Sequence, residues 1–144
     1  MERAKVFLKE ALLDAEAEKS LIFCLTGELG AGKTYFTKGL ASALGITDIR
    51  SPTFVLMKKF IIKSKGSLDE GKNKKYFYHI DCYRVHDEKD ARNIGLDKML
   101  EDSRAIFAIE WAERIQAVIP RPYWKVKFRY EGENKRKIEI EKVE

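Results

Sequence analysis

Leu21-Ile22-Phe23-Cys24-Leu25 runs through Thr26 into Gly27-Glu28-Leu29-Gly30-Ala31-Gly32-Lys33-Thr34, and this junction decides the fold. The apolar run has the length and character of a buried strand, and the residues after it fit the phosphate-loop pattern GxxxxGK[ST]. In such a loop glycines let successive backbone N–H groups turn inward around a phosphate chain, and the helix that follows presents its positive dipole end to the same anion. That helix is visible here, because Phe36, Leu40, Ala41 and Leu44 mark one face and Gly45 suits a left-handed end position. Glu28, Leu29, Gly30, Ala31, Gly32, Lys33 and Thr34 are therefore expected to hold a nucleotide. Lys33 would reach its β and γ phosphates, and the Thr34 hydroxyl would meet a magnesium ion bridging them.

The chain has 144 residues, enough for one domain around one core, and no linker-like stretch divides it. Apolar residues make up 44% and charged residues 35%, the balance of a soluble globular protein. No apolar run reaches the length of a membrane span or a secretory signal, so a cytoplasmic setting is expected. Cys24 and Cys82 stand far apart without a second ligand pair, which argues against a zinc site and for two buried small hydrophobes. A net charge of +5 and a pI near 9.1 are compatible with an RNA or acidic protein partner, and equally with an ordinary solvated surface.

Upstream of the first strand, expected over residues 20–26, Ala4, Phe7, Leu8, Ala11 and Leu12 form a helical stripe. Downstream of the phosphate loop, Ser51-Pro52-Thr53 reads as a loop and residues 54–62 as a strand. Residues 63–75 mix glycine, serine, asparagine and charge without periodicity. They read as an exposed excursion, lysine-rich through Lys63, Lys65, Lys72, Lys74 and Lys75, whose removal should spare the core. A strand resumes over residues 76–81, Asp87 fits as the cap of a short helix through Arg92, and Leu96, Met99 and Leu100 form a small apolar patch. Ala105-Ile106-Phe107-Ala108-Ile109 is a second wholly apolar run, of the kind a strand covered on both faces shows, and it ends in Glu110. A helix over residues 112–118 stops before Pro120, and two strands flanking Glu131-Gly132-Glu133-Asn134 make a C-terminal β hairpin.

Glu110, emerging from a buried strand, has the placement of the carboxylate that holds a nucleotide's magnesium, directly or through water; otherwise it is a surface carboxylate at a strand end. Asp81 ends another strand in the same way. It is a candidate for orienting or deprotonating an attacking water, or simply a partner for Arg84. Trp111 and Tyr83 read equally as site residues or as core packing. His79 and His86 have no second metal ligand at helical or strand spacing and read as structural.

The phosphate loop, then Ser51-Pro52-Thr53-Phe54, His79-Ile80-Asp81-Cys82-Tyr83-Arg84 and Ile109-Glu110-Trp111 resemble, in order and spacing, the successive motifs of the TsaE (YjeE) family. The resemblance runs from Leu21 to about Pro120. It implies a small ATPase required for the threonylcarbamoyladenosine modification of tRNA next to the anticodon, working with the proteins TsaD and TsaB. It also implies that Ser51 and Thr53 lie near the reacting end of ATP, and that Asp81, Lys33 and Thr53 serve the chemistry. Glu110 and Thr34 would hold Mg2+, with Trp111 beside the nucleotide. Glu28 stands where the family commonly has aspartate, Cys82 where it has leucine, and the excursion at residues 63–75 looks longer than the family's connection.

Three classes of function remain open: an ATPase subunit that drives a partner enzyme, a small-molecule kinase, and a nucleotide-switched RNA-binding module. No arginine-rich lid of the kind a kinase carries is visible, and the basic and aromatic interleaving of an RNA module is approached only near Tyr76 and Tyr78, so the first class leads. The fold expected is a three-layer α/β P-loop NTPase-like domain with a mixed, mostly parallel central sheet. Residues 54–62, residues 76–81 and the C-terminal hairpin would be its antiparallel additions.

Overall fold

The computed structural model describes residues 2–27, 32–47, 57–63, 73–133 and 135–144. Helix α1 (Glu2–Asp14) precedes strand β1 (Leu21–Gly27), and helix α2 (Lys33–Ala43) follows the loop. Then come β2 (Met57–Ile61), β3 (Tyr76–Asp81), the short helices α3 (Glu88–Asn93) and α4 (Leu96–Met99), and β4 (Ala105–Glu110). A 3₁₀ segment (Ala112–Val118) and the hairpin of β5 (Tyr123–Tyr130) and β6 (Arg136–Val143) complete the described elements.

The strands form one sheet in the order β2-β3-β4-β1-β5-β6. Its centre, β3-β4-β1-β5, is parallel, and β2 and β6 close the two edges in antiparallel pairing. This corrects the expected split between a parallel body and antiparallel additions. Residues 76–81 are antiparallel only towards β2 and pair in parallel with β4, while the first strand of the hairpin pairs in parallel with β1. Both therefore belong to the body that gathers its carboxyl ends on one side. The segment expected over residues 112–118 is helical but kinked, with Ile115 outside helical geometry.

Both faces of the sheet are covered, which is why residues 21–25 of β1 and 105–109 of β4 are unbroken runs of buried apolar residues. Phe23, Leu25, Phe77, Ile106, Ala108 and Phe128 face α1 and α2, whereas Ile22, Cys24, Tyr78, Ile80 and Phe107 face α3, α4 and the 3₁₀ segment. Phe7 of α1 meets Phe23 edge-on at 5.4 Å between centroids, and Phe36 of α2 meets Phe128 at 5.6 Å, so aromatic contacts dock both helices on the same face. Helix α2 ends as its sequence foretells. Gly45, at φ 78°, donates to Ser42 O while Ile46 donates to Ala41 O, the paired bonds that stop a helix with a left-handed residue. Asp87 caps α3 by accepting from Asp90 N–H at 3.0 Å. Both cysteines are buried and unlinked, and burial pushes the Cys82 thiol up to about 12 and raises Cys24 as well, so neither is a ready nucleophile.

The excursion differs from its expected character at one residue. Lys74 is buried, and its ammonium donates to Lys19 O at 2.5 Å and Ser103 O at 2.7 Å. It thereby ties together the segments leading into β1 and β4, and Ile62 N–H closes the neck of the excursion on Lys75 O at 2.9 Å. Residues 64–72 lie outside the described residues. Among the described residues no helix is long and apolar enough to cross a membrane.

Candidate functional site

Register places the site. Leu25, Glu110 and Asp81 are partners across β1, β4 and β3, so the last residues of β4 and β3 stand in one row with Leu25, two residues before the end of β1, at the carboxyl edge of the sheet. In open parallel sheets this is the edge where ligands bind. Two residues further along β1, Gly27 lies opposite Phe128 of β5. A Cβ on Gly27 would sit 2.4 Å from Phe128 O, and its φ of 136° is foreign to L side chains, so only glycine lets β1 turn there while still pairing with β5.

Helix α2 starts at Lys33 without a side-chain cap, behind Gly32 at φ 104°. An uncapped N-terminus has N–H groups open to an anion. The Lys33 side chain is buried, donates from Nζ to Gly27 O at 2.6 Å and lies 4.5 Å from the centroid of the Trp111 ring. The Thr34 hydroxyl donates to Glu110, 3.1 Å from Oε1 and 3.4 Å from Oε2. A hydroxyl and a carboxylate at this separation are hard oxygen donors of the kind magnesium takes, with phosphate and water supplying its other ligands.

Glu110 is buried, and it has a second partner that spacing alone did not reveal: Nε2 of His79, at 2.5 Å from Oε2. His79 faces α2 with Phe77 and Asp81, since its register partner is Ala108. The signal in the sequence was the pair His79 and Asp81 two apart on a strand; what was missing was the identity of the neighbouring strand. Asp81 accepts from Tyr83 N–H at 3.0 Å and, among the described residues, makes no ion pair with Arg84, which is exposed. Burial, reinforced by the nearby Glu110, raises the Asp81 carboxyl above its ordinary value against the opposing pull of Tyr83 N–H, His79 and Lys33.

Trp111 follows Glu110 in a left-handed conformation, φ 58°, an arrangement costing about 1–3 kcal/mol for a bulky residue. The turn aims its ring back over Lys33, and Tyr83 packs against it at 5.3 Å while the Arg114 guanidinium lies 5.4 Å from its centroid. Core packing does not account for Tyr83, which is 54% exposed. Arg136, at the start of β6, brings a guanidinium nitrogen 3.9 Å from where a Gly32 Cβ would stand, because it pairs with Tyr130 beyond Phe128. Sequence reading passed over it for want of any motif. Glu28, Leu29, Gly30 and Ala31 of the loop, and Ser51 and Thr53, lie outside the described residues.

The family model "Threonylcarbamoyl adenosine biosynthesis protein TsaE" matches residues 2–138. The tRNA threonylcarbamoyladenosine biosynthesis protein TsaE of Bacillus subtilis is 36% identical over 128 residues, covering 88% of this chain and 73% of that one. Its counterpart in Aquifex aeolicus is 37% identical over 123 residues, covering 74% of this chain and 79% of that one. That of Borreliella burgdorferi is 38% identical over 101 residues, and the match spans 66% of its length. Among solved structures, YdiB of Bacillus subtilis superposes with a TM-score of 0.65 at 30% identity, covering 95% of this chain and 76% of that one. A family model matched over residues 2–138, relatives 36% and 37% identical over most of the chain, and a sheet shared with a solved relative make the chain a member of the TsaE family of threonylcarbamoyl adenosine biosynthesis proteins.

Proposed function

We propose that this chain binds ATP with Mg2+ and hydrolyses it to ADP and phosphate, as an accessory subunit in the threonylcarbamoyladenosine modification of tRNA. It would act in the cytoplasm on a complex of TsaD and TsaB homologues, with tRNA met through that complex. The observation that carries the ATPase reading is the approach of Thr34 Oγ1 to Glu110 Oε1 at 3.1 Å. It joins the first turn of α2 to the end of β4, the two places from which a phosphate-loop protein holds its metal. Family membership supports the tRNA pathway.

In this reading the phosphates lie at the N-terminus of α2 and Lys33 exchanges Gly27 O for their oxygens, a charge-assisted contact stronger than the one it replaces. Arg136 adds positive charge from the side of Gly32. Thr34 and Glu110 would hold the magnesium ion, which supplies charge neutralisation on the phosphate oxygens. Asp81, one strand over, orients the attacking water and takes its proton as the new P–O bond forms and the bond to the bridging oxygen of ADP breaks. Its raised pKa makes it a stronger base than an exposed aspartate. Thr53 completes the catalytic set, and Trp111 packs over Lys33 beside the nucleotide.

The test is ATP turnover by the purified chain with no acceptor added, repeated with TsaD and TsaB homologues. Release of free phosphate, changed in rate by the partners, is the expected result. Phosphate transferred to a small molecule, or no binding of ATP, would overturn the reading.

A further inference from the structure

We propose that His79 is the positioning residue for Glu110: it holds the carboxylate at the end of β4 so that the metal-facing oxygen stays aimed at Thr34 when the hydroxyl of Thr34 is given up to the cation. The inference rests on the site assigned to Thr34 and Glu110 above. The His79 ring is fully buried, yet Nδ1 makes no hydrogen bond among the described residues. A histidine kept only to fill the core would do so at the cost of that orphaned nitrogen, and an apolar side chain of similar volume would remove the cost. What an apolar side chain cannot replace is the other nitrogen, 2.5 Å from Glu110 Oε2.

A carboxylate accepts and cannot donate, so in this contact the Nε2–H of His79 is the donor and Oε2 of Glu110 the acceptor. The two donors divide the carboxylate between them. His79 takes Oε2, while Thr34 lies closer to Oε1, at 3.1 Å against 3.4 Å. Of the two bonds, only the one from Thr34 competes with a cation, because a metal that takes the hydroxyl oxygen and a carboxylate oxygen occupies the space between them. The bond from His79 comes from the neighbouring strand, whose register with β4 is fixed over six residue pairs from Tyr76↔Ala105 to Asp81↔Glu110. It survives the exchange, so Glu110 does not have to be reordered when the metal arrives. Metal-ligating carboxylates are commonly held in this way, and removing the outer partner typically lowers metal affinity about 10–100-fold.

Three proteins test this: wild type, His79→Leu, which keeps the volume and removes the donor, and His79→Gln, whose amide restores an N–H near the position of Nε2. Nucleotide affinity is measured by calorimetry in EDTA and across a magnesium series, with Mn2+ binding followed by electron paramagnetic resonance and melting temperature recorded alongside. The expected result is a split. His79→Leu binds ATP in EDTA within about 2-fold of wild type but needs about 10-fold more metal to reach its full affinity, and His79→Gln recovers much of that loss. A magnesium dependence in His79→Leu equal to wild type, or a loss of metal-free affinity as large as the metal-dependent one, would overturn the role. If wild type binds no nucleotide, the parent site assignment falls as well, which separates the two failures. Should His79→Leu not fold, ¹⁵N NMR of wild type without metal still decides: the proton on Nε2 supports the contact with Glu110, and a proton on Nδ1 with Nε2 bare overturns it.

Discussion

Thr34 and Glu110 are 76 positions apart in the chain, and their side chains meet at 3.1 Å. The contact exists because β1 and β4 are parallel neighbours in register, with Glu110 at the end of β4 beside Leu25, while α2 returns from the loop over the same edge. A site assembled this way has separable parts, and single substitutions should reveal them.

Lys33→Ala should raise the Kd for ATP by roughly 10-fold or more and abolish turnover, since it removes a charge-assisted contact to the phosphates. The cation now rests on Gly27 O at 2.6 Å, so a small drop in melting temperature is also expected. Calorimetric ATP titration checks the first effect, and normal turnover would refute the assignment.

Glu110→Gln and Asp81→Asn should fail differently. The first should blunt the dependence of ATP affinity on magnesium. The second should keep much of that affinity while losing hydrolysis, because orienting water counts mainly in the transition state. Parallel measurements of Kd and kcat distinguish them, and equal losses of affinity would argue against separate roles.

Asp81→Asn also carries a pH signature. The folded state raises the pKa of this carboxyl, so its ionised form is disfavoured by folding, and the penalty applies above the unfolded value of about 3.9. Stability contributed by the protonated form is lost as pH rises through the folded pKa. The variant should therefore melt at or above wild type near pH 7, with the difference shrinking as the pH falls towards 4. Thermal melts across that range give the sign.

Gly27→Ala should destabilise the protein by about 2–4 kcal/mol in urea unfolding. Its methyl group would press on Phe128 O, which lies 2.4 Å from the Cβ position, at a φ of 136°. The same change made at Gly132, where a Cβ would meet nothing within 4 Å, should cost less, its left-handed φ being the only strain.

Lys74→Ala should cost about 3 kcal/mol, since Lys19 O and Ser103 O lose a charged donor inside the protein. Deleting residues 64–72 while retaining Lys74 and Lys75 should leave basal ATP hydrolysis nearly intact, whereas removing residues 63–75 outright should not. If lysines of the excursion meet tRNA phosphates, the shorter deletion should weaken RNA binding and flatten its salt dependence, which a titration at several salt concentrations measures.

Local chemistry was determined by the sequence alone. The phosphate loop occupies consecutive residues, so its pattern and the strand and helix around it are readable without knowing the fold, and the ends of α2 at Gly45 and of α3 at Asp87 follow from the conformations those residues favour. Glu110 and Asp81 were legible as strand-end carboxylates for the same reason. Which strands lie side by side was decided only in three dimensions. Alternation along β3 puts His79 and Asp81 on one face, but nothing in that segment says that β4 is its parallel neighbour, and a slip of one residue would turn His79 away from Glu110. The burial of Lys74 depends on two distant turns meeting, and the approach of Arg136 to Gly32 on the pairing of β6 with β5 and of β5 with β1. Such contacts are set by register and packing between segments far apart in the chain, and a pattern confined to one segment carries no information about them.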